Sequence, residues 1–105
     1  MLFMVQITVA LPGDMAPEKV ADINARELKR GGELMDAGKL LRVWRIVGRR
    51  ANFSLWQADT LEELHANLSS LPLHPWMAIE VTALIEHPAA AAYKKARGKL
   101  PALPE

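Results

Sequence analysis

The spacing of apolar residues changes along this chain, and each change marks a boundary between secondary-structure elements. Over residues 2–11 every second residue has an apolar side chain on the same face of the extended chain, which is the period of a half-buried strand. Residues 17–37 instead repeat their apolar side chains with the helical period of about 3.6. Pro17 suits the first turn of that helix, and Gly38 suits its C-terminal cap. These patterns predict a strand followed by a long helix.

The second part of the chain predicts two more strands, a short helix and a last strand. Residues 39–47 and 52–58 are strand-like, and residues 48–51 between them have the composition of a hairpin turn. Thr60 and Glu63 form a capping-box pattern that begins a helix ending near residue 70. Alternation returns over residues 77–85. The order βαββαβ is that of an α+β, ferredoxin-like sandwich, with a four-stranded antiparallel sheet and both helices on one face.

The other face of this sheet has no predicted helix to cover it. It is semi-polar, and Trp44 and Trp56 lie on the hairpin, where at least one of them can point toward that face. A chain of 105 residues also buries a limited share of its surface by itself. We therefore expect self-association through this face, at least as a dimer.

Composition limits the classes of function. We expect one domain at residues 1–88, followed by a basic tail rich in proline and alanine at residues 89–105, with a helical turn within 89–97. The net charge of +1 gives no reason to expect binding to nucleic acid or to an anionic membrane. The chain lacks cysteine, its three histidines lack metal-ligand spacing, and it contains no nucleotide-binding motif. We expect no metal and no cofactor, and we assign the cytoplasm by default.

One carboxylate stands on the apolar face of the predicted long helix. Glu27 shares that face with Asn24 and with Gly31, which leaves space one turn away. An ionised carboxylate in a dry interior is costly unless it is paired or hydrogen-bonded. Two interpretations follow with equal weight: Glu27 binds an arginine from the sheet and holds the helix in place, or it faces a ligand cavity.

Other polar groups are candidates for the same site. Arg45 lies among aliphatic strand residues and needs an anion, while Arg50 and Asn52 lie at the hairpin. His74 lies in a loop braced by prolines, where side chains are displayed, whereas His65 lies on the apolar side of the second helix and is more readily explained as a core or supporting residue. Without thiols or metal, the remaining chemistry is proton transfer by Glu and His with Arg as the electrostatic partner.

Several short motifs together resemble the muconolactone delta-isomerase family over residues 1–88. They are Met1-Leu2-Phe3, Leu11-Pro12, Asp14-Met15, Trp44-Arg45-Ile46 with Gly48, Ala51-Asn52 with Ser54, Leu64-His65, Leu71-Pro72-Leu73 with Pro75 and Met77, Ile79-Glu80-Val81, and His87-Pro88. The resemblance implies a dimeric α+β barrel, assembled in that family into decamers. It also implies a cofactor-free double-bond shift that turns muconolactone into 3-oxoadipate enol-lactone in catechol breakdown, an aromatic-degradation route. Glu27 matches a glutamate of the family's first helix, which suits the base.

The chain departs from the family's pattern at four positions near the expected pocket. Family members carry His, Tyr, Phe and Tyr where this chain has Met4, Arg50, His74 and Trp76, respectively. The proton donors and the charge of the pocket are therefore altered, which weakens the assignment of a particular substrate more than that of the family.

The interpretation that we adopt from the sequence is an isomerase acting on an unsaturated lactone or a related small carboxylate. Glu27 is the expected base, with Arg45 as its electrostatic partner. The expected substrate-binding residues are Asn24, Arg50, Asn52, His74 and Trp76, with His65 in support. Two alternatives remain: an α+β barrel oxygenase or cyclase-like enzyme acting on an aromatic or polyketide substrate, and a non-catalytic oligomeric binding protein.

Overall fold

The computed structural model describes residues 1–104. Its elements are β1 (Leu2–Val9), α1 (Pro17–Asp36), β2 (Leu40–Arg45), β3 (Ala51–Gln57), α2 (Leu61–Ser69), a 3-10 turn (His74–Trp76), β4 (Met77–Leu84) and α3 (Pro88–Arg97). The predicted βαββαβ order is confirmed, and so is the α+β, ferredoxin-like fold class. The strand and helix boundaries differ from the predicted ones by about two residues at most.

The four strands form one antiparallel sheet in the order β2-β3-β1-β4. Strand β1 is central, and its Val5 lies opposite Ser54 of β3 and Val81 of β4. Side chains on one face of β1 pack with residues of α1 and α2 in a single core. Its buried members are Phe3, Val5, Ile7, Leu34, Leu40, Trp56, Ala58, Leu64, Leu68 and Leu71. The sheet and the two helices therefore form two layers around one core.

The ends of the two core helices follow from identifiable residues. Pro17 lies in the first turn of α1, and Gly38 follows α1 with a φ of 72°, the left-handed conformation predicted for it. At the start of α2, the Thr60 hydroxyl accepts a hydrogen bond from the backbone N–H of Glu63 at 3.0 Å. The Glu63 carboxylate accepts one from the backbone N–H of Asp59 at 2.8 Å. The N–H of Glu63 would otherwise lack an intrahelical partner.

The sheet face away from the helices exposes two aromatic side chains. Trp44 of β2 and Phe53 of β3 are cross-strand partners, and they are 43% and 41% exposed. Trp56 points to the opposite face and is buried, with its indole N–H donating to the Ser54 hydroxyl at 2.8 Å. Of the two hairpin tryptophans considered from the sequence, Trp44 is the one on the uncovered face.

The tail after β4 contains a regular helix where a helical turn was predicted. Helix α3 runs for 10 residues, begins after His87, whose ring accepts the backbone N–H of Ala89 at 3.0 Å, and ends at Gly98 with a φ of 87°. A run of four alanines favours this helix, as do basic residues in its last turn. Among residues 1–104, no helix is long and apolar enough to cross a membrane.

Candidate active site

Glu27 lies in the middle of α1, half-buried between this helix and the connection from α2 to β4. Its Oε1 accepts a hydrogen bond of 2.9 Å from the backbone N–H of Leu73. Further backbone bonds hold that connection, because His74 N–H donates to the Leu71 carbonyl and Trp76 N–H to the Leu73 carbonyl, each at 2.9 Å. The carboxylate is thus oriented by a backbone group that is itself fixed.

The arginine ion pair considered for Glu27 is not formed. Within residues 1–104 the ion pairs join other groups, and Glu27 Oε2 makes no hydrogen bond. Burial raises the pKa of the Glu27 carboxyl, and the hydrogen bond from Leu73 lowers it by less, so the pKa is above its usual value. A raised pKa makes this carboxylate a stronger proton acceptor than an exposed glutamate.

Two pockets that share five lining residues lie beside Glu27, and we describe them as the more polar and the more apolar part of one cavity. The polar part, about 250 Å³, includes Asn24 and Arg50 among its walls, and the apolar part, about 420 Å³, reaches Trp56 and Ser54. Both parts share the same central residues, namely Glu27, Leu28, Arg45, Asn52 and Met77. Gly31 lines the apolar part, and a Cβ placed there would meet no atom within 4 Å. The space that Gly31 was expected to leave beside Glu27 is therefore present.

Two cations face this cavity without a carboxylate partner. Arg45, at the end of β2, lines both parts of the cavity, and Arg50 precedes β3 and lines the polar part. Neither arginine forms an ion pair with another residue of the described chain. Arg50 Nη2 donates to Asn24 Oδ1 at 3.0 Å, which joins the hairpin to α1 at this polar part. Unpaired guanidinium groups beside a cavity favour an anionic ligand.

Asn52 lies between these groups on β3. It is the cross-strand partner of Arg45, and it lines both parts of the cavity. Its Oδ1 is shielded from solvent and has no hydrogen-bond partner, the single such side-chain atom among residues 1–104. The structure thus brings together five of the residues singled out from the sequence: Glu27, Asn24, Arg45, Arg50 and Asn52.

The other three candidates lie elsewhere. His65 and His74 line a second, largely apolar cavity of about 340 Å³ between α2 and β4, with Leu61 and Val81 among its walls. Trp76 is half-buried in the 3-10 turn, where its carbonyl accepts the backbone N–H of Ala10 at 3.0 Å. The path of the α2–β4 connection decides the positions of His74 and Trp76, and no local sequence pattern specifies that path. No cluster of three potential ligands that could hold a metal ion occurs in residues 1–104.

Three groups at the site were missed from the sequence. The backbone N–H of Leu73 has no sequence signature, because any residue except proline carries one. Met77 begins β4, and the sequence pattern predicted only its place in that strand. Leu28 follows Glu27 on the apolar face of the helical projection, which was the available signal, and it is 80% exposed at the cavity wall.

Comparison with known proteins agrees with this architecture. The family model described as muconolactone delta-isomerase matches residues 1–90. Relatives named muconolactone delta-isomerase include one from Cupriavidus pinatubonensis, 43% identical over 84% of this chain and 96% of the relative. Another, from Pseudomonas aeruginosa, is 42% identical over 84% of this chain and 92% of the relative.

A solved structure also matches. A crystal structure of muconolactone isomerase has a TM-score of 0.80 and 43% identity to this chain, over 85% of this chain and 93% of that one. The resemblance inferred from the short motifs is thereby confirmed. The chain is an isomerase and belongs to the muconolactone delta-isomerase family.

Proposed function

We propose that this protein converts muconolactone into 3-oxoadipate enol-lactone, with Glu27 as the base. The observation that carries this proposal is a half-buried carboxylate with one oxygen fixed by a backbone N–H and the other unbonded, beside a cavity with two unpaired arginines. The names of its relatives supply the substrate. The reaction needs a base, an anion-binding group and a place for enolate charge, and the cavity contains side chains for all three.

The proton transfer follows from the chemistry of the lactone. The hydrogen on the ring carbon that bears the carboxymethyl group is acidic, because its loss gives a dienolate conjugated through the double bond to the carbonyl. Glu27 Oε2 takes this proton, and Glu27 then returns it to the carbon next to the carbonyl. The double bond shifts by one position, and no atom is gained or lost. A raised pKa suits both halves of this transfer, because Glu27 must accept a proton and release it again.

The two arginines have different roles in this proposal. Arg45 lines both parts of the cavity, as Glu27 does, and its guanidinium can stabilise the charge that develops on the carbonyl oxygen of the lactone. Arg50 lines the polar part, held by Asn24, where it can bind the substrate carboxylate. Binding the carboxylate away from the reacting carbon would orient the lactone ring over Glu27.

The experiment is a spectrophotometric assay of the purified protein with muconolactone, beside Glu27→Gln and Glu33→Gln. The first variant keeps an oxygen for the Leu73 N–H but removes the base, and we expect turnover to fall about 10²- to 10⁴-fold with the fold intact. The second removes an exposed carboxylate on another face of the same helix and should leave turnover unchanged. A folded parent without activity toward muconolactone, or an active Glu27→Gln, would contradict the proposal.

We also propose that the protein self-associates as a dimer or decamer. The exposed Trp44 and Phe53 on the sheet face away from the helices support this proposal, because exposed aromatic pairs are typical of interfaces. Sedimentation equilibrium would measure the mass directly. A monomer at assay concentration would contradict it.

A further inference from the structure

The unpartnered oxygen of Asn52 lies among the groups that carry the proposed reaction. Asn52 is surrounded along the sheet by Ile7 of β1 and Arg45 of β2, and it shares both parts of the cavity with Glu27. Its Oδ1 is excluded from solvent and accepts no hydrogen bond. A buried acceptor without a donor destabilises a protein, and such groups are rare enough in native structures to require an explanation.

The possible hydrogen-bond donors to Asn52 Oδ1 are few. Since solvent does not reach this oxygen, the donor must come from a side chain in the cavity wall. Neither Arg45 nor Arg50 donates to this oxygen in the structure, although both line the cavity, which leaves the carboxyl group of Glu27 when it is protonated. Muconolactone, with its carboxylate ionised, has no O–H or N–H to offer. Only protonated Glu27 is a donor that exists at one stage of the reaction and is absent at the others.

We propose that Asn52 accepts a hydrogen bond from protonated Glu27 in the reaction intermediate. This inference rests on the proposed function, because it needs Glu27 to take the proton from the lactone. The proton moves from the ring carbon to Glu27 Oε2. The resulting O–H group donates a hydrogen bond to Asn52 Oδ1, and the proton then returns to the carbon next to the carbonyl. Because this hydrogen bond is absent while Glu27 is ionised, it stabilises the intermediate without stabilising the resting enzyme.

A second consequence concerns the fate of the proton. A carboxyl proton that donates to a buried oxygen is less available to water than one that faces the solvent-filled part of the cavity. Asn52 therefore favours return of the same proton to the substrate over exchange with solvent. This property can be measured with an isotope and is independent of the strength of substrate binding.

The test follows deuterium from the substrate to the product. Muconolactone deuterated at the ring carbon that loses the proton is converted in H₂O, and the deuterium retained in the product is measured by mass spectrometry. We expect the parent to retain part of the label. Asn52→Leu, which has a similar volume but no acceptor, should retain severalfold less and lose about tenfold in kcat, with KM changed by less than about threefold.

Asn24→Leu is the matched control, because it alters the other asparagine of the cavity. It should raise KM by releasing Arg50 but keep the label retention of the parent. Complete loss of label by the parent, or unchanged retention in Asn52→Leu, would overturn the inference. A raised KM with unchanged label retention in Asn52→Leu would indicate that Asn52 accepts a hydrogen bond from Arg45 and not from Glu27. That result would also overturn the inference.

Asn52→Asp keeps the test decisive if the leucine variant does not fold. A carboxylate next to Glu27 should raise the pKa of Glu27, which can be followed by NMR titration of its labelled carboxyl carbon without substrate. An unchanged Glu27 titration would show that the two side chains do not interact and would overturn the inference. A parent that does not isomerise muconolactone contradicts the proposed function instead, and this titration still reports whether the side chains at positions 52 and 27 interact.

Discussion

Glu27 on α1 and Glu63 on α2 are the same residue type in two opposite environments. Each accepts a backbone N–H, from Leu73 at 2.9 Å and from Asp59 at 2.8 Å. Glu63 also pairs with Lys39 at 2.6 Å, and this bond is the main reason that the pKa of Glu63 is lowered. Glu27 forms no ion pair, and burial raises its pKa. The difference between the two carboxylates is thus the cation partner: Glu63 has one and stabilises its helix, whereas Glu27 has none and can accept a proton more readily.

After removal of the Glu27 carboxylate itself, the largest expected effect comes from giving Glu27 the partner that Glu63 has. Gly31 lies one helical turn after Glu27, and a side chain there meets open space. Gly31→Lys should form an i,i+4 ion pair with Glu27, lower the pKa of Glu27 and reduce kcat about 10- to 100-fold. The pH at which kcat/KM reaches half its plateau should fall, which a pH–rate profile would measure.

Gly31→Gln is the control for this change, because it occupies the same space without charge. Both variants should stabilise α1 by about 0.5 to 1 kcal/mol, since glycine is unfavourable inside a helix. If Gly31→Gln reduces kcat as much as Gly31→Lys, then blocked space and not charge is responsible, and the comparison between the two glutamates fails.

An intermediate effect is expected at the start of α2. Thr60→Ala removes the hydroxyl that accepts the Glu63 N–H, and it should reduce the free energy of unfolding by about 1 kcal/mol. Because neither Thr60 nor Glu63 lines the Glu27 cavity, kcat should stay at the parent value. Urea denaturation and the lactone assay check the two parts. A fall in kcat with an unchanged melting temperature would show that α2 has a direct part in the reaction.

The smallest effect is a difference of sign in the pH dependence of stability. A carboxyl whose folded pKa is raised favours folding while protonated, and that contribution is lost as pH rises through the folded pKa. A lowered pKa has the opposite result, since stability is present above the unfolded pKa and is lost as pH falls through the folded pKa. Near neutral pH, Glu27→Gln should therefore raise the melting temperature slightly and Glu63→Gln should lower it slightly.

Thermal melts at several pH values would check both variants together. Both differences should shrink toward zero in acid, where the parent carboxyls are themselves protonated. Two shifts of the same sign at neutral pH would contradict the assignment of opposite roles.

The fold was predictable from local patterns, but part of the site was not. Alternation, the capping box at Thr60 and the glycine after α1 each depend on neighbouring residues, so they specify elements without knowledge of the tertiary structure. The position of Glu27 on the buried face of α1 was predicted for the same reason. The partner of Glu27 was not, because it is a backbone N–H from a residue 46 positions away. His74 has a favourable loop position, but the path of its loop places it at the other cavity.

Glu27, the proposed base, and the two arginines of the cavity are held by different elements. Glu27 and Leu73 belong to α1 and the α2–β4 connection, whereas Arg45 and Arg50 flank the short turn between β2 and β3, where Gly48 has a φ of 85°. On the roles proposed above, a change of sequence or length in that turn is expected to alter which acid is bound without moving Glu27. We therefore expect the substrate range to diverge by mutation of one hairpin while the position of Glu27 is kept.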